Sequence, residues 1–151
     1  MLFRSEGSSG WAIANAAAAA GLLGVSMGAM LLGHYYLTAP WMSLAPLRRL
    51  IAGIFVASVV RAAVTGGAVA MYLQTPPESP YLSGPADWGL YVMLRWVMGI
   101  GGPIVLSVLV WKTVQLKATQ AATGILYVVV LLVLIGEATG VALDRLAGAP
   151  L

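Results

Sequence analysis

The chain has no cysteine and only one histidine among its 151 residues. The first absence excludes disulfides, thiolate metal sites, iron–sulfur ligation and covalent c-type haem attachment. The second rules out a bis-histidine haem held by this chain alone. Charge is also scarce: 9% of residues are charged and 60% are hydrophobic, where a soluble domain carries about 25% charged residues. A water-soluble fold is excluded. The net charge of +3 arises from eight basic and five acidic residues with no clustered basic face, so nucleic acid is not an expected partner. No phosphate-binding glycine loop, paired-acid site, HExxH motif or Ser/His/Asp arrangement is present. No catalytic residue is assigned, and catalysis would need a cofactor or another subunit.

What the chain does have is length in apolar runs. Four stretches are near or above the roughly 20 residues needed to cross about 30 Å of hydrocarbon. They predict an all-α integral membrane protein with a single four-helix transmembrane domain over residues 1–151, with spans at about 11–37, 47–73, 88–112 and 119–143. The first run is too long for a signal-peptide core and reads as a retained span. Within it, Gly24 and Gly28 form a small-xxx-small pair, which predicts close packing against a neighbouring helix. The third run contains Gly101, Gly102 and Pro103; proline has no N–H to give, so a kink or local unwinding is expected there. A proline-dense stretch at 74–87 reads as an outer loop.

Orientation follows from the connections. Arg48, Arg49, Lys112 and Lys117 flank the first and third of them, whereas the second carries Glu78 and Asp87 and no base. The positive-inside rule then predicts N-out, C-out. The expected setting is a cytoplasmic or energy-transducing membrane, with membrane lipid and other membrane subunits as partners.

Three ionisable side chains, Arg61, Arg95 and Glu137, lie well inside different apolar runs. A charge in hydrocarbon costs a few kcal/mol or more, so such residues face a partner, a cavity or a ligand. At about 1.5 Å per residue, Arg95 and Glu137 fall at similar depths and Arg61 lies deeper. The expectation is an Arg95–Glu137 pair, with Arg61 unbalanced and answered by an anionic ligand or by an acid from another subunit. A structural ion pair that orients the helices is the plainer alternative.

His34, Tyr35 and Tyr36 end the first span, and Thr119 and Gln120 open the fourth in the same leaflet. Together they form a candidate quinone-head or axial-ligand region, since such a pocket needs hydrogen-bond donors beside an aromatic or apolar wall. His34 alone is a candidate single axial metal ligand, to a haem or chlorophyll-type pigment. The plainer reading is an anchored, hydrated interfacial cluster. The combined expectation is a small subunit of a multi-subunit electron-transfer complex, contributing to a haem, pigment or quinone environment. Two alternatives stand beside it: a homo-oligomeric anion or proton transporter built on the Arg/Glu cluster, and a purely structural or lipid-binding assembly subunit.

Overall fold

The computed structural model describes residues 5–39, 41–73 and 87–147. The proline-rich connection expected at 74–87 lies outside the described residues except for Asp87, and so does Pro40. All regular structure among the described residues is helical: α1 (Ser5–Thr38), α2 (Ala45–Leu73), α3 (Asp87–Trp96), a π turn (Val97–Gly101), α4 (Gly102–Gln115) and α5 (Thr119–Ala147). Helix is the expected choice for these sequences, because hydrocarbon offers no partner to a free backbone N–H or C=O and a helix satisfies both internally.

Four helical stretches are long and apolar enough to cross a membrane: Gly10–Thr38, Ala45–Ala70, Gly89–Gln115 and Thr119–Leu143. The third comprises α3, the π turn and α4 in continuous succession. The spans form a ring in which α1 packs on α2 and α5, and α4 packs on α2 and α5. The outer surface is apolar, with Ile13, Leu31, Val105 and Leu131 all exposed. That suits a lipid environment and would be a large liability in water.

The main core gathers Leu22, Ile51, Ile54, Val110, Leu126 and Val129, all at or near zero exposure. It occupies the end of the bundle where α1 and α4 finish and α2 and α5 begin. A smaller cluster of Ala68 and Leu143, with Trp11 and Tyr91 against it, closes the other end. Hydroxyls inside the bundle are mostly engaged by their own helices: Ser58 donates to the Ile54 carbonyl at 2.7 Å and Ser26 to that of Leu22 at 2.6 Å. This back-bonding lets small polar residues sit in an apolar helix without an orphaned group.

The turn between α4 and α5 has a definite cap. The Ala118 N–H reaches the Thr113 carbonyl at 3.2 Å and the Lys117 N–H reaches that of Val114 at 3.0 Å, the paired bonds of a Schellman motif. Lys117 takes the left-handed position, with φ of 56°, where glycine is the usual occupant.

Within one copy of the chain, the close helix contact expected at Gly24 and Gly28 is not made there. A Cβ added to Gly24 or Gly28 would meet nothing within 4 Å, so this pair makes no close helix contact inside the bundle. Spacing alone cannot say which face of a helix a pair of glycines occupies. The close contact is instead between the third and fourth spans, where a Cβ on Gly136 would fall 2.1 Å from the Gly99 Cα.

Candidate functional site

Each of the four spans contributes one polar side chain to a single centre. Arg61 lies on α2, Arg95 on α3, Glu137 on α5 and Asn15 on α1. Measured from the nearest span limits, Asn15 is about 8 Å in, Arg95 and Glu137 about 9 Å, and Arg61 about 14 Å. The long Arg61 side chain covers the difference in level.

Glu137 is the hub. Arg61 grips it with both edges of a fork, Nε donating to Oε1 at 3.0 Å and Nη2 to Oε2 at 2.8 Å. Its remaining Nη1 donates to the Asn15 carbonyl at 3.1 Å and to Asn15 Oδ1. Arg95 approaches from the other side, with Nη1 3.1 Å from Glu137 Oε1 and donating to the Gly136 carbonyl at 2.7 Å. Bidentate guanidinium–carboxylate pairs of the Arg61 kind are the strongest and most directional available to protein side chains.

The expected Arg95–Glu137 pair is present, and the expectation of an unbalanced Arg61 is corrected. Arg61, expected to be unbalanced, holds the carboxylate bidentately and uses all three of its nitrogens; Arg95 holds it through one nitrogen only. Depth along a helix does not fix which way a side chain points, and Asn15 inside an alanine-rich run gave no sequence signal of its own. The Nε and Nη2 atoms of Arg95 are buried and find no hydrogen-bond partner among the described residues, and the same is true of Thr65 Oγ1. Thr65 follows Arg61 by one turn on the same face of α2. Both Arg95 and Thr65 are fully buried, whereas the Glu137 side chain keeps 19% of its surface exposed.

Glycine makes the centre possible. A Cβ at residue 140 would lie 3.0 Å from the Arg95 guanidinium carbon, and one at residue 99 would lie 2.8 Å from the Gly136 Cα. Any side chain at these positions would displace the guanidinium or part the two spans. Gly136 and Gly140 flank Glu137 with the same small-xxx-small spacing as Gly24 and Gly28. Their juxtaposition with a buried acid was the sequence signal that could have located this contact.

The π turn begins two residues after Arg95, and the Gly102 N–H that closes it donates to the Val97 carbonyl. Pro103 follows at the start of α4, where its missing N–H is tolerated. π turns inside α-helices occur frequently at functional positions.

The second candidate region divides. Tyr36, Thr119 and Gln120 line a hollow of about 410 Å³ together with Lys117, and a neighbouring hollow of about 300 Å³ shares Tyr36, Lys117 and Thr119. His34 and Tyr35 are exposed and are not part of either lining. The Tyr36 hydroxyl donates to the Ser43 carbonyl, tying α1 to the first connection. No group of three His, Cys, Asp or Glu side chains that could hold a metal ion occurs among the described residues. No protein-family model matches the chain, and comparison with curated proteins and with solved structures finds no significant similarity.

Proposed function

We propose that this protein binds an anion inside the membrane at the centre formed by Arg61, Arg95 and Glu137, and works as the anion-handling unit of a small transport assembly of several copies. The observation that supports this reading is the buried Nε–Nη2 edge of Arg95, which has no partner among the described residues. Two guanidiniums face one carboxylate, so the centre retains one positive charge. An arriving anion takes the unpartnered edge of Arg95 while Glu137 stays on Arg61. Its two acceptor oxygens match two parallel N–H groups, and its charge brings the centre to neutrality, which lowers the cost of holding ions in hydrocarbon.

The remaining features fit this role. Glu137 keeps part of its surface exposed, which gives the centre a way out. The π turn at Val97–Gly101, just after Arg95, provides a segment able to shift during release. The basic residues Arg48, Arg49, Lys112 and Lys117 lie at the opposite end of the bundle from the centre, which by the positive-inside rule supports an N-out, C-out topology with the centre in the outer half of the membrane.

The test is uptake by liposomes holding the purified protein, with acetate, bicarbonate and phosphate offered in turn. Saturable uptake of at least one is expected. Arg95→Gln should raise the half-saturating concentration about tenfold or more, the equivalent of losing one charged hydrogen-bonding pair. Absence of saturable uptake for every anion removes the transport reading, and unchanged saturation in Arg95→Gln removes the site.

A second reading, a subunit of an electron-transfer complex, is favoured by one feature: the polar hollow lined by Tyr36, Lys117, Thr119 and Gln120. Its donors beside an aromatic ring suit a quinone head. Solvent extraction of the protein purified from its native membrane, with a visible spectrum, tests it; a colourless, quinone-free preparation rejects it.

A further inference from the structure

Away from the charged centre, α2 and α4 leave a groove of about 480 Å³ between them, within the roughly 300–1,000 Å³ of ordinary ligand sites. Its walls are Ala52 and Phe55 on one side and Val108 and Trp111 on the other, with Lys112 and Gln115 at its mouth. Lys112 and Gln115 are exposed, as is Arg48. Arg48 precedes Ala52 by four residues, one turn along the same face of α2. α2 begins where α4 ends, so Arg48 and Lys112 rim the same mouth.

A groove open to hydrocarbon selects its occupant by the polar groups along it. The hydroxyl in this wall, Ser107, donates to the carbonyl of Ile104 on its own helix at 2.7 Å. The walls therefore offer apolar contact, and polar recognition is confined to the rim, where both charges are positive. We propose that the groove is a binding site for an anionic phospholipid, with one acyl chain lying between Phe55 and Trp111 and the phosphate held by Lys112 and Arg48. Basic mouths between membrane helices on the positively charged side have this preference because the phosphate and the guanidinium or ammonium meet near the low-dielectric boundary. This site is separate from the Arg95 centre and does not depend on anion transport.

The test uses the full chain in phosphatidylcholine vesicles doped with either acyl-brominated phosphatidylglycerol or acyl-brominated phosphatidylcholine. Bromine quenches nearby indole fluorescence, and the Trp111 signal is read as the difference between the protein and Trp111→Phe. The anionic lipid is expected to quench Trp111 at a mole fraction roughly twenty-fivefold lower than the zwitterionic one, each of the two basic groups contributing about fivefold. Lys112→Gln should reduce that preference about fivefold, and the Arg48→Gln/Lys112→Gln pair should abolish it. Ala52→Phe, which fills an exposed position in the groove and leaves both charges in place, should bring quenching by the anionic lipid down to that by the zwitterionic one. Identical quenching curves for the two lipids overturn the proposal, as does a preference that survives the double substitution or Ala52→Phe. Circular dichroism of each variant confirms that the helices are retained.

Discussion

At the end of the bundle where α1 finishes and α2 begins, the helices meet through Leu22, Ile51, Val110, Leu126 and Val129, buried aliphatic side chains with no charge among them. At the other end they meet through Arg61, Arg95 and Glu137, with Gly99 against Gly136 and Gly140 beneath the Arg95 guanidinium. In water both kinds of contact would be driven largely by burial. In a membrane the lipid is as apolar as leucine, so the aliphatic end gains only close packing, while the polar end holds groups that have nowhere else to go. The aliphatic end therefore tolerates substitution in proportion to lost contact, and the polar end fails when a single partner is removed.

Glu137→Gln is the sharpest way to break this contrast. It leaves two guanidiniums facing a neutral amide, and removing one partner from a buried ion pair costs about 3–5 kcal/mol. Reversible unfolding of the detergent-solubilised protein should show that loss, and stability within about 1 kcal/mol of the parent would mean that the carboxylate is dispensable to the bundle. Leu126→Ala at the aliphatic end comes next. Leucine truncation in a soluble core costs about 2–5 kcal/mol, part of it transfer from water; with lipid as the reference, the expected loss is about 1–2 kcal/mol. If Leu126→Ala proves as damaging as Glu137→Gln, the two ends are not held differently.

Much of this arrangement was legible in the sequence, and the rest was hidden for definite reasons. Hydropathy marked four membrane spans whose limits agree with the helices to within a few residues, because the thickness of hydrocarbon sets their length. The three buried charges stood out because each is expensive where it lies. The Arg95–Glu137 pair followed from their similar depth, but the second partner did not, since counting residues gives depth and not direction around the helix: Arg61, read as unbalanced, grips the same carboxylate bidentately. Asn15 was invisible because a lone amide in an alanine run has no pattern. The proline at position 103 suggested a break, but the irregular turn precedes it, at Val97–Gly101, where the helix brings Gly99 against Gly136.

The smallest expected effect concerns the glycine pair that the sequence pointed to first. Inside one copy of the chain, Gly28→Ala adds a methyl group that meets nothing within 4 Å, and alanine is favoured over glycine in a helix by up to about 1 kcal/mol. Unfolding of the isolated chain should therefore be unchanged or slightly shifted toward greater stability. The informative measurement is the mass of the protein–detergent complex alongside it. A stable chain that loses its oligomeric state on Gly28→Ala would place a second helix against this open face, since small residues in membranes serve close approach between helices. A stable chain with an unchanged mass would leave the face to lipid, and any transport assembly would have to form through another surface.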